Sequence, residues 1–176
     1  TGFYRTYNPD RVFHHPQNPE YGKPMNGDHA PNCYAAALQF ENGVLCGLSM
    51  TSEVRGGGSN YAIHGTEGSL YLDDPNNFGG PLMIELAAGG GKMEVPLTHA
   101  FSDNMRGLGA ADAAYALRNG RKPRCGTDLI YHVFETCQGI EASCDTGRVY
   151  ELQSRCERPA PFAAGYLEYP EMVMDM

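Results

Sequence analysis

Between residues 32 and 97 the apolar positions come in short runs broken by glycine, proline and asparagine, and beyond residue 104 they recur at steps of three and four. The first pattern predicts strands and the second helices. "NCYAAALQF" and "VLCGLSMTSEV" form a predicted hairpin joined by "ENG", where Asn42-Gly43 suits a tight primed turn. "YAIHG" and "SLYLDD" form a second around "GTEG", and "LMIELAAGGGKMEVPL" a third with Gly89–Gly91 at its tip. "RGGGSN" and "PNNFGGP" read as connecting loops.

Residues 104–118 then read as a helix carrying Leu108, Ala111, Tyr115 and Leu117, stopped by Gly120. A longer helix is predicted from Thr127, its N-cap, with Asp128 at the positive end of the dipole. Leu129, Ile130, Val133, Phe134, Cys137, Ile140 and Cys144 make its apolar stripe, and Gly147 closes it. "RVYELQSR" reads as a last strand, the first thirty residues as an irregular arm, and the proline-rich end as an extended tail.

Hairpins followed by helices predict an α+β fold: a mainly antiparallel open sheet with helices packed on one face. The strands are apolar on both parities, so a second chain is expected on the other face, making it an oligomer interface.

Composition narrows the function classes. The chain has 176 residues and a net charge of −8, with no basic run, which argues against nucleic acid or an anionic membrane as partner. No apolar stretch approaches the ~20 residues of a membrane span. The start "TGFYRTYNPD" has neither Met nor the pattern of a signal peptide, and is expected to be that of a trimmed piece. Six cysteines at 33, 46, 125, 137, 144 and 156 form no CxxC and no zinc spacing; their apolar settings predict buried, reduced thiols in a cytoplasmic protein.

Familiar catalytic motifs are absent: GxGxxG, the P-loop, GxSxG and HExxH. His14-His15 with Asp10 or His29 lacks ligand spacing and reads as a solvated arm. His132 and Glu135, three apart on the long helix, are an acid–base pair only on the least favoured reading, that of a stand-alone hydrolase. Isolated His64 and His99 read as structural hydrogen bonders, and Glu67 as a turn residue. Arg55 opens a loop directly after a strand, and Asn76, Asn77 and Phe78 form a compact loop. Asn104 and Arg106 open a helix, where free N–H groups suit an oxygen-rich or anionic ligand. The alternative is that Asn104 caps the helix and Arg106 is a surface charge.

The run "YAIHGTEGSLYLDDPNNFGGP", then "PLTHAFSDNMRGLGAADAAYALRNGRKPRCGTDLIYHVFETCQGIEASCDTGRVYELQSRCERPAP", resembles the C-terminal domain of the Gfo/Idh/MocA family. These are two-domain NAD(P)-dependent sugar and cyclitol oxidoreductases. The resemblance covers residues 1–161, leaving 162–176 as a tail. It implies a substrate-binding and oligomerisation domain, in a dimer or tetramer, whose open sheet face joins protomers. NAD or NADP and the catalytic lysine would belong to a Rossmann domain that the chain lacks. It lacks the family's D-x-x-x-H pair too, so the resemblance implies no catalytic residue, cofactor site or metal here, and no activity in isolation. It places Arg55, Asn104 and Arg106 at the substrate, with Asp103 and Phe101 as weaker neighbours; two arginines favour an oxygen-rich or acidic sugar. The competing expectation is a non-enzymatic scaffold using the same sheet.

Overall fold

The computed structural model describes residues 1–25, 30–53, 58, 60–75, 79–98 and 106–162. They form an α+β protein whose two open sheets, of three and four strands, are antiparallel throughout. The chain divides into two compact units, Thr1–Gly56 with Thr127–Glu157, and Gly57–Gly126 with Arg158–Met176.

The first unit holds β1 (Gly2–Arg5), β2 (Cys33–Gln39) and β3 (Leu45–Thr51), in that spatial order, with α2 (Thr127–Thr146). The expected hairpin is present, but its turn is longer and of another kind. Phe40 and Val44 close a three-residue loop, Glu41-Asn42-Gly43, in which only Gly43 is left-handed (φ 87°). A type I turn followed by a left-handed glycine satisfies the twist of the strands as well as a primed turn does. The N-terminal arm also departs from expectation, because its first residues pair with β2 as an edge strand. Residues 11–25 are knitted by turn hydrogen bonds and by a bridge between Val12 and Pro24.

Strand register sorts this sheet into two faces. Gly2, Tyr4, Tyr34, Ala36, Leu38, Cys46, Leu48 and Met50 share one. On it lies the C-terminal half of α2: Tyr4 and Tyr34 donate hydrogen bonds to Asp145 and Glu141, and a Cβ on Gly2 would meet Cys144 Sγ at 3.1 Å. The reverse face carries Ala35, Ala37, Gly47 and Ser49, all exposed.

Only part of the stripe predicted for α2 is covered: Ile140 is buried, and Leu129 and Cys144 are half-buried. Ile130, Val133 and Phe134 are 53–61% exposed and Cys137 is exposed, whereas Glu135, Gly139, Ile140 and Ser143 are buried. The reason lies in what packs there. Residues 148–155, expected as a strand, join no sheet. They run extended along α2, and a bare backbone needs polar or very small partners. Glu135 accepts the amides of Gln153 and Ser154, Ser143 Oγ donates to the Arg148 carbonyl (2.6 Å), and Gly139 admits the Tyr150 ring. A Cβ at Gly139 would lie 2.6 Å from that ring. Burial of the thiols is likewise only partial: all six cysteines are free, Cys125 and Cys137 exposed and the others half-buried.

The second unit holds β4 (Tyr61–His64), β5 (Gly68–Leu72), β6 (Leu82–Leu86) and β7 (Lys92–Val95) as a meander, with α1 (Leu108–Arg118). Here the expectation of apolar residues on both parities is met only in part. Tyr61, Ile63, Leu70, Leu72, Leu82, Ile84, Leu86, Met93 and Val95 share one face, and the other mixes Ala62, Tyr71 and Met83 with His64, Ser69, Glu85, Lys92 and Glu94. Gly68 is required where β5 meets β6, since a Cβ there would sit 2.5 Å from the Glu85 carbonyl. No helix of the described residues is long and apolar enough to cross a membrane.

Candidate functional site

α1 starts at Leu108, later than the expected residue 104, because Gly107 takes the N-cap position. The expected cap, Asn104, lies outside the described residues. Gly107 offers no side-chain acceptor and the first turn holds no acidic residue, so the end's N–H groups meet no carboxylate of their own helix. Arg106 stands beside this end on the lip of an open depression of about 260 Å³. Leu108, Gly109, Asp112, Arg124, Cys125 and Phe162 complete its lining. Arg55 and Asn104 lie outside the described residues, as do Phe101, Asp103, His29, His99 and the Asn76–Phe78 loop.

The floor rests on one carboxylate. Asp112, 2% exposed, faces inward from α1 beside Ala116, which is completely buried. Its Oδ1 accepts from Arg121 Nη2 and Arg124 Nη1, both at 2.6 Å, and its Oδ2 from the Arg124 amide at 2.7 Å. Arg124 also donates to the carbonyls of Ala160 and Pro161 and stacks 4.3 Å from the centroid of Phe162. Burial pushes the Asp112 carboxyl up, but the Arg121 guanidinium and the amide and guanidinium of Arg124 outweigh it and hold the group at about 2. Asp112 is thus a fixed anion that ties two chain segments to α1. Its neighbours Arg121 and Arg124 are committed to it, and Arg106 is exposed.

Sequence reading passed over Asp112, Arg121, Arg124 and Phe162. The signal available was a single acidic residue inside an alanine-rich helix, followed beyond Gly120 by "RKPR". No protein-family model matches the chain, and no curated protein matches it.

His132 and Glu135 have other work. The Gln153 amide, with the Ser154 hydroxyl and amide, holds the Glu135 carboxyl below its ordinary range, and Tyr150 lies at 3.5 Å. His132 Nδ1 is 2.8 Å from Ser154 Oγ. Glu135 faces the Ser154 backbone rather than orienting the imidazole, so the three do not have the serine–histidine–carboxylate order of a hydrolase. His64 meets Ser69 at 2.8 Å, a structural bond within β4–β5. Among the described residues no three His, Cys, Asp or Glu side chains are grouped to hold a metal.

Proposed function

We propose that this chain is the substrate-binding and assembly domain of an NAD(P)-dependent oxidoreductase acting on a CH–OH group of a sugar-like molecule. The reading rests on the family resemblance. The observation that supports it best is Arg106, beside a helix start whose N-cap, Gly107, has no side-chain acceptor, lining a depression that has room for a few polar ligand atoms. Arg106 would hold ligand oxygens through its fork of donors, and the positive end of the α1 dipole would favour the same charge. Asp112 and Arg124 would keep the wall rigid without touching substrate. Nicotinamide, bound to a separate Rossmann domain, would accept the hydride; the part of this chain is to hold and orient the alcohol. Arg55 and Asn104 belong to the same proposal, as does a cytoplasmic homo-dimer or tetramer.

In the full-length enzyme Arg106→Ala should raise KM several-fold and lower kcat less. Unchanged kinetics on the true substrate would refute the assignment. The isolated chain should give no calorimetric signal with NAD or NADP, and tight binding of either would count against the reading. A second reading, a non-enzymatic interaction scaffold, draws on a different observation: the half-covered apolar face of β4–β7.

A further inference from the structure

We infer that the segment after residue 157 builds one wall of the depression, and that Phe162 is the surface on which the ring of a sugar acid lies, with Arg106 taking the acid group at the ring's edge. All the lining residues belong to the second unit, so the depression is a feature of that unit alone. Phe162 comes last of them in the chain and lies outside residues 1–161, the stretch that carries the family resemblance. This wall is therefore particular to the chain and is not supplied by the resemblance. The inference rests on the sugar-binding part of the reading above and names the residue that meets the ring.

The segment is built to hold its place. Pro159 and Pro161 bracket Ala160, which fixes φ at both prolines and keeps Ala160 out of helical geometry. Neither proline has an N–H to give to a strand, and the carbonyls are held by Arg124 instead. Its Nε donates to the Ala160 carbonyl at 2.9 Å and its Nη2 to that of Pro161 at 3.1 Å, while Nη1 is anchored on Asp112 at 2.6 Å. The same guanidinium lies 4.3 Å from the centroid of the Phe162 ring. A ring seated on a cation with three fixed acceptors is pre-set in orientation, so little freedom is lost when a ligand meets it. Phe162 is half-exposed and borders the depression with Leu108 and Gly109, which give the lining its apolar part; Arg106 adds an exposed cation. A pyranose acid has the matching chemistry: C–H groups across its face, oxygens around its edge and one carboxylate. The aromatic surface covers the C–H face from water, and the guanidinium fork pairs with the carboxylate. A volume of about 260 Å³ is just below the usual range for small-molecule sites, roughly 300–1,000 Å³, and suits one ring rather than a chain of them.

The chain has no tryptophan, so Phe162→Trp gives indole emission from this wall alone. In the 176-residue chain, glucuronate at millimolar concentration should change that emission saturably. Gluconate carries a carboxylate on an open chain with no ring face, and should bind about tenfold more weakly. Saturation-transfer NMR on the sugar protons reads affinity without an indole. By that measure Phe162→Ala should weaken glucuronate about tenfold against the native chain, and Phe162→Leu, apolar but without a ring, about fivefold, both with unchanged circular dichroism. Gly109→Leu leaves the segment after residue 157 untouched and adds a side chain to the lining, where a Cβ would meet nothing within 4 Å. It should abolish binding. Gluconate binding as tightly as glucuronate would overturn the inference, as would full affinity in Phe162→Leu or Gly109→Leu, or no glucuronate bound at all. Binding lost in Arg106→Ala but kept in Phe162→Ala would strike only the inference and leave the sugar-binding reading standing. A full-length enzyme that binds the sugar acid through Phe162 but shows no NAD(P)-linked turnover of it would strike only the oxidoreductase reading.

Discussion

The two units pair a sheet with a helix in opposite ways. In the first, α2 lies on the apolar face of β1–β2, and its other side grips an extended segment. In the second, α1 also grips extended segments, but the apolar face of β4–β7 is only half-covered. Both helices do the gripping with one carboxylate near the middle, and the donors differ. Glu135 takes two backbone amides, neutral groups that must be bonded somewhere in any case. Asp112 takes two guanidiniums and an amide, so the bond is between charges brought out of water. Removing the carboxylate therefore leaves orphan amides in one unit and uncompensated cations in the other.

The largest effect should follow from that difference. Asp112→Ala strands Arg121 and Arg124, whose side chains are 31% and 21% exposed, and should cost about 3 kcal/mol by chemical denaturation. A cost below about 1 kcal/mol would mean that the guanidiniums are satisfied by water. Acid probes the same bond. The Asp112 carboxyl has a folded value near 2 against 3.8 when free, so its contribution is complete above pH 4 and is lost as pH falls toward 2. That contribution is on the order of 2 kcal/mol, and the protection of the Arg124 amide, relative to its intrinsic exchange at each pH, should fall across this window.

Next comes Gly139→Ala. A methyl group there would stand 2.6 Å from the Tyr150 ring, and the ring must leave α2 or the helix must shift. The expected cost is about 2 kcal/mol by the same measurement, since overpacking at a close approach rarely relaxes fully. A neutral outcome would show that residues 149–157 lie on α2 loosely. Smaller still is Glu135→Gln, which keeps the shape and loses an acceptor. Amides of Gln153 and Ser154 should exchange roughly tenfold faster while the strands β1–β3 stay protected. Equal acceleration of the sheet would mean that the grip is part of the core.

The contrast between the units explains what could be read from residues alone. The three hairpins, two helices and α+β class were legible because alternation, helical steps and glycine stops are local signals. Gly43, Gly120 and Gly147 indeed hold positive φ. The burial of α2 was legible only at Leu129, Ile140 and Cys144. Its apolar positions are real, yet the side that is covered is chosen by the backbone of residues 148–154, and nothing in the helix itself announces that a neighbour will come without strand pairing. β1 was missed because "GFYR" is too short to show alternation and pairs only through contact with β2. At the candidate site, Arg106 was visible from its place before a helix, whereas the Asp112 cluster needs residues nine and twelve positions onward to fold back.

Tyr71→Phe sharpens the comparison with the smallest expected change. The substitution removes the hydroxyl that Glu85 holds, but it keeps the ring under Lys92 and lies on the polar face of β4–β7. Local amide exchange around Ser69 and Glu85 should quicken about tenfold while the other strand amides keep their protection. A loss of protection across all four strands would mean that the bond from Tyr71 to Glu85 holds the whole meander together rather than one pair of its strands, as the grip on Glu135 would if its loss exposed β1–β3.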